Sequence, residues 1–276
     1  MKTVKFLLLP IFTYCLFIWT IINIKTWNYQ TELSKKIFTN TSFVKLMLTI
    51  LLPIILILTI KKLKLNSGIY FGQKKNSFLI AWTSFRLIGP ACIGFLIIGL
   101  LGWSFKDWYG SIVLATIFTI ALCFIPKLTQ KLITQNESEK KRLKPAVILL
   151  ILSVITTLVS IFVKNINPIF FKAMYFIFIV AVGEELFFRG YIQSSFNLFF
   201  GKKFQIGTVK LGWALPFSAI LFGLSHSLVT NPITWPWMLF TFVGGLILGF
   251  IREKDGSLLA PIVLHALMDF PLIFMT

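Results

Sequence analysis

Three short stretches place ionisable side chains in surroundings that have few others. Gly183-Glu184-Glu185-Leu186-Phe187-Phe188-Arg189-Gly190 ends the apolar run FKAMYFIFIVAV, LFGLSHSL carries His226, and LLAPIVLHALMDFPL carries His265 and Asp269. The chain has nine acids, and six of them (Glu32, Asp107, Glu137, Glu139, Glu253 and Asp255) fall in predicted loops or at predicted span ends. The other three are Glu184, Glu185 and Asp269, and both histidines also lie in apolar runs. A charged group at the centre of a membrane helix costs about 2.5–3.5 kcal/mol on insertion scales, so such residues are functional candidates by default. Almost all the side chains able to move protons near neutral pH therefore sit inside apolar segments, and they come from three of them.

Spacing sorts these groups. Neighbours on a helix point about 100° apart, so Glu184 and Glu185 cannot face one partner. Glu185 and Arg189 are four apart and share a face, which predicts an ion pair. Glu184 is left without a local partner, and a carboxylate in apolar surroundings is a competent proton acceptor. A competing reading has Glu185 and Arg189 as charges that snorkel at a membrane boundary. Phe222 lies one turn from His226 on the same face, where its ring packs beside the imidazole and restricts water. His265 and Asp269 are again four apart; the carboxylate there can hold the imidazole tautomer, or share a metal or water. Gly245 and Gly249 form a GxxxG pair, which reads as close helix packing.

These groups must be positioned by membrane helices. The chain of 276 residues is 57% hydrophobic, 16% aromatic and 13% charged, with mean hydropathy +0.87. Soluble domains are about 45–50% apolar and about 25% charged, so the composition predicts an all-α, polytopic transmembrane bundle. Candidate spans lie near 6–24, 43–60, 87–103, 108–125, 146–163, 168–188, 212–229, 235–251 and 258–275, each near the length of about 20 residues needed to cross. Arg86, Gly89 and Pro90 interrupt the third, and 68–86 is an alternative interfacial helix, so the count is eight or nine. The N-terminal helices occupy 1–145; helices of 146–276 carry the candidate motifs, within one integrated membrane unit.

The net charge of +18 does not point to nucleic acid, because the basic residues are scattered over short connections. With the N-terminus in the cytoplasm, 19 Lys and Arg fall on that side and 7 on the other, Arg189 being set aside as intramembrane. That bias predicts a cytoplasmic N-terminus. MKTVKFLLLPIFTYCLFIWTIINIK resembles a signal peptide without a small-residue cleavage site, and reads as a retained first helix. The polar segment 126–145 reads as a solvated connection. Cys15, Cys92 and Cys123 have no metal or redox spacing and read as small buried hydrophobes.

HExxH and GxGD signatures are absent, and the adjacent Ser225 and His226 diverge on a helix. In order, Glu184-Glu185-x-x-x-Arg189, Phe222-x-x-x-His226 and His265-x-x-x-Asp269 resemble the three motifs of the CPBP family, as EKDGSLLAPIVLHALMD resembles its approach to the last motif. That family comprises CAAX prenyl endopeptidases and the Abi-type membrane metalloproteases of bacteriocin processing and self-immunity. The resemblance covers about 168–275. It implies peptide-bond hydrolysis within the membrane, acting on a peptide or membrane-protein substrate at the lipid bilayer of a bacterial cell.

By resemblance, Glu184 is the general base, His226 holds the water, His265 and Asp269 stabilise the oxyanion, and Glu185, Arg189 and Phe222 support the site. Many relatives have Asn at the last position, and an ionised Asp269 cannot donate a hydrogen bond as an amide does. Two mechanisms are compatible with these residues. One is glutamate-dependent; the other is metal-dependent, with zinc the candidate and His226, His265 and Glu184 its ligands. Two further functions compete: a non-catalytic membrane regulator or immunity protein that binds a membrane partner, and a proton-coupled transporter. The second lacks an inverted repeat.

Overall fold

The computed structural model describes residues 4–27, 54–65, 74–102, 107–132, 168–230 and 233–273, with single helical positions at 148, 151, 152 and 155. Among these residues the fold is almost wholly helical. Helix α1 is Lys5–Trp27, α2 is Lys74–Leu100 and α3 is Trp108–Thr129. A continuous helical stretch over 168–200, here α4, follows. Then come α5 (Ala214–Leu228), α6 (Trp235–Asp255), α7 (Leu259–Met268) and a 3-10 turn, Phe270–Ile273. Residues 54–63 are also helical.

Three expectations are corrected. The sequence break at Pro90 does not separate an interfacial helix from a span, because α2 runs through it. An interior proline removes one helical hydrogen bond, a loss that membrane helices tolerate when neighbouring groups satisfy the freed carbonyl. The chain is not purely helical either. Strands β1 (Phe204–Ile206) and β2 (Val209–Leu211) form an antiparallel hairpin between α4 and α5, with Phe204 opposite Leu211 and Ile206 opposite Val209. Cys15 and Cys123 are exposed, not buried. The expected spans near 43–60 and 146–163 and the polar segment 126–145 fall largely outside the described residues.

Helices α3 and α6 are each long and apolar enough to cross a membrane. Large apolar side chains point outward, among them Phe12 and Trp19 on α1 and Ile120, Phe124 and Leu128 on α3. Small residues line the contacts between helices instead, as expected where lipid removes the hydrophobic drive for burial. A side chain at Gly223 on α5 would meet the Met238 carbonyl of α6 at 2.9 Å, and one at Gly245 would press on Ala219 at 3.1 Å. The predicted GxxxG packing is therefore seen, and it has a second consequence.

Gly249 also lets α4 approach α6, since an added carbon there would meet Gln193 Oε1 at 2.9 Å, and side chains of α4 reach the α6 backbone. Arg189 Nη2 donates to the Gly245 carbonyl at 3.2 Å and Gln193 Nε2 to the Gly249 carbonyl at 3.1 Å. Asn197 Nδ2 then donates to Glu253 Oε1 at 2.8 Å, an atom that Gln193 Nε2 also reaches at 2.8 Å. Each step of four on α4 meets a step of four on α6, at a constant separation of 56 residues. The two helices therefore run parallel, rows of i±4 positions facing each other.

Glu253 and Asp255 lie at the end of α6, as expected of span-end acids, and are buried there, as are Arg252 and Lys254. Lys202 Nζ lies 2.5 Å from Glu253 Oε2, and Arg252 Nη1 lies 3.9 Å from it. Ser77 Oγ of α2 donates to both Asp255 oxygens at 2.9 and 3.0 Å, Ser257 Oγ donates to Asp255 Oδ2, and the Ala260 amide lies 3.4 Å from it. A carboxylate thus satisfies donors at the start of α7 and fixes that helix against α2.

Overfilling a tight core costs about 1–3 kcal/mol. Gly223→Ala should lower the thermal stability of the detergent-purified protein by about that amount, whereas Gly89→Ala, with nothing within 4 Å of the added carbon, should not. Equal stability of the two variants would contradict the close α5–α6 contact.

Candidate functional site

The two adjacent glutamates end a four-residue α-helical segment, Val182–Glu185, set between π-helical turns Tyr175–Ala181 and Leu186–Gln193. Such wider turns recur at functional sites. Hydroxyls meet two of their carbonyls: Ser218 Oγ of α5 donates to the Phe188 carbonyl at 3.0 Å and Ser194 Oγ to the Arg189 carbonyl at 2.9 Å. No physical account of why these turns open is evident in the sequence.

Glu185 and Arg189 form the expected pair, with Nε 3.2 Å from Oε2, at 0% and 1% side-chain exposure. This contact is Coulombic, because neither Nε nor Oε2 has an aligned hydrogen bond. The guanidinium is also placed over aromatic faces, 4.3 Å from the Phe222 ring centroid and 5.8 Å from that of Phe188. Cation–π attraction of this kind is strongest away from water. Complete burial excludes the snorkelling alternative for both residues.

Glu185 has a second partner that spacing alone could not reveal. His265 Nδ1 lies 2.9 Å from Glu185 Oε1, across from α7 to α4. A carboxylate accepts, so Nδ1 carries the proton, and Nε2 points into the site. There it lies 3.6 Å from Asp269 Oδ2 and 3.9 Å from Glu184 Oε2. Asp269 ends α7, where its amide bonds back to the His265 carbonyl at 3.0 Å.

His226 arrives from α5. Its Nδ1 lies 2.9 Å from the Phe222 carbonyl, again a donor to an oxygen, so Nε2 faces the site with its lone pair. That atom is 3.8 Å from Glu184 Oε2. Phe222 lies beneath both imidazoles, its ring 4.5 Å from that of His226 and 5.9 Å from that of His265. Ser225 Oγ donates to the Phe222 carbonyl at 2.7 Å and lies 3.4 Å from His226 Nδ1, on the side away from Nε2.

Glu184, Glu185, Arg189, Phe222, His226, His265 and Asp269 are thus all brought together. Glu184 differs in one respect from the expectation of a carboxylate shut off from solvent: its side chain is 31% exposed. Its Oε2 is nonetheless buried and has no hydrogen-bond partner among the described residues. The groups that sequence reasoning missed are Gln193, Asn197 and Glu253, which brace the helices behind the site. Their signal was present as the continued i+4 series 185, 189, 193, 197.

Tetrahedral zinc at its usual bond lengths of about 2.0–2.1 Å to nitrogen and oxygen sets its ligand atoms about 3.3 Å apart. The spacings of 3.8 and 3.9 Å from Glu184 Oε2 to the two imidazoles are wider. No three His, Cys, Asp or Glu side chains among the described residues are arranged to hold a metal ion. The zinc ligand set considered from sequence does not fit as placed. The same gaps suit an intervening water.

Residues 166–271 match the family described as type II CAAX prenyl endopeptidase, Rce1-like. No curated protein matches the chain, and no solved structure matches it. The matched region begins just before α4 and closes at the 3-10 turn, so it contains all seven site residues. Two helices, α3 and α6, are long and apolar enough to cross a membrane, in agreement with that match.

Removing one partner of a buried ion pair costs about 3–5 kcal/mol. Glu185→Gln should therefore destabilise the protein by about that amount, while Glu184→Gln, at a partly exposed position, should change stability little. Unfolding of both purified variants checks this. Similar losses at the two positions would contradict the division between them.

Proposed function

Residues 166–271 belong to the CPBP family, and from that premise we propose that the chain is a polytopic intramembrane endopeptidase in which Glu184 activates water. One observation carries the proposal: buried Glu184 Oε2 faces His226 Nε2 at 3.8 Å and His265 Nε2 at 3.9 Å, three groups from three helices around one gap.

A water bound at about 2.8 Å, an ordinary O–H···O length, donates one hydrogen to Glu184 and the other to the lone pair of His226. Glu184 takes the proton as the water oxygen bonds to the scissile carbonyl carbon. The carbonyl electrons move to oxygen, and His265 Nε2, when protonated, donates to that oxyanion. Collapse of the tetrahedral intermediate breaks the C–N bond, and the proton held by Glu184 passes to the leaving amine. Preorganised donors around developing charge are the largest common source of rate enhancement.

In this scheme Asp269, with Oδ2 3.6 Å from His265 Nε2, holds the imidazole in place and makes no contact with the oxyanion. Glu185 and Arg189 hold the imidazole and the helix but touch no reacting atom. No step is routed through a metal. The substrate class is a peptide or protein within or at the bilayer.

General base catalysis contributes about 10²–10⁴-fold. Glu184→Gln should therefore reduce cleavage about 10²–10⁴-fold while leaving insertion and folding intact, measured by comparative peptidomics of membranes that carry either protein. Undiminished cleavage by the correctly inserted variant would refute the assignment, whereas absence of cleavage by both proteins would favour a regulator or immunity role.

A further inference from the structure

Away from this site, the end of α3 and the hairpin form a groove of about 420 Å³, lined by Leu122, Cys123, Pro126, Lys127, Ile206 and Gly207, with Gln130 at its edge. We propose that this groove binds an anionic glycerophospholipid, the acyl chain against the apolar wall and the phosphate on Lys127.

The groove lies where such a lipid must have its headgroup. Helix α3 is a candidate membrane span, and Lys127 is in its last turn. The groove floor is apolar, while exposed Phe124 and Leu128 flank it on α3 and exposed Phe204 stands on the hairpin. An acyl chain meets that surface without desolvation cost. Lys127 is exposed and supplies a cation at the level where a bilayer has its phosphates.

The opposite wall is fixed in place. The hairpin turn packs on α3, an added carbon at Gly207 lying 4.0 Å from the Pro126 carbonyl. Lys254 Nζ donates to Thr208 Oγ1 at 2.9 Å, and Lys202 pairs with Glu253, tying both ends of the hairpin to α6. Pro126 has no N–H, so the Leu122 carbonyl, four residues earlier, loses its helical donor. Leu122 lines the groove. Gln130, also in the lining, offers its side-chain amide to a headgroup hydroxyl.

Charge selects the anionic class over zwitterionic lipids. The ends of α3, α4 and α6 share this side of the molecule, through the Pro126–Gly207 contact and the parallel course of α4 and α6. Lys127, Lys131 and Lys210 are exposed there. Basic residues concentrate on the cytoplasmic side, whose leaflet carries the negative surface potential.

The test is retention of lipid by the purified full chain, read by native mass spectrometry after exchange from nanodiscs of phosphatidylglycerol or of phosphatidylcholine. One Lys near the surface contributes enough attraction for about a fivefold change in retention. Wild-type protein should retain phosphatidylglycerol in preference to phosphatidylcholine. Lys127→Ala should lose about fivefold, Cys123→Trp, which fills the groove from an exposed position, should lose retention further, and Lys203→Ala, outside the lining, should behave as wild type. Equal retention of the two lipids would overturn the proposal. So would equal effects of Lys127→Ala and Lys203→Ala, or a Cys123→Trp variant that keeps the lipid and instead raises the KM for peptide.

Discussion

Two carboxylates adjacent in sequence cannot do the same work when one of them is wholly buried, and the contacts of Glu185 decide which does what. One oxygen neutralises Arg189, and the other accepts from His265 Nδ1. The first contact keeps a guanidinium within the bundle, where an unpaired charge would be costly. The second joins α4 to α7 and turns His265 Nε2 toward Glu184. With Glu185 committed in this way, Glu184 is the acid left to face the imidazoles, and the division of labour follows from the roughly 100° turn between helix neighbours.

Close helix approach makes that commitment possible. Gly249 has no side chain to hold Gln193 of α4 away, and the Gly245 carbonyl accepts from Arg189 one turn earlier. The ladder ends at Glu253, where Lys202 and Asn197 close it. On the other flank, Asp255 secures the start of α7 through Ser77 and Ser257. The chemical groups are thus held from behind by polar contacts together with the buried rings of Phe188 and Phe222. This arrangement suits a protein whose surroundings are themselves apolar.

Much of the site was legible because it is local. Helical spacing of four gave the Glu185–Arg189 pair, the Phe222–His226 contact and the shared face of His265 and Asp269. The ordered motifs indicated that these belong together. The Glu185–His265 bond was not legible, since it spans 80 residues and periodicity within one helix says nothing about a partner on another. The burial of Glu253 and Asp255 was not legible either, because a charged run at the end of an apolar segment usually reports an interface. Their partners lie on α2 and α4, distant in sequence. Pro90 suggested a boundary where α2 continues, and a three-residue strand such as Phe204–Ile206 offers too short a pattern to separate from a loop.

The central claim is that water, deprotonated by Glu184, attacks the peptide carbonyl directly. Single-turnover cleavage in ¹⁸O-water, with enzyme in excess over a substrate recovered from the membrane peptidome, tests it most directly. Direct attack places the heavy oxygen in the new C-terminal carboxylate of the first product formed and leaves the carboxylate at position 184 unlabelled. An unlabelled first product, with the heavy oxygen recovered instead in the peptide containing Glu184, would show that this residue forms a covalent acyl intermediate, and the account given for the pocket would be wrong.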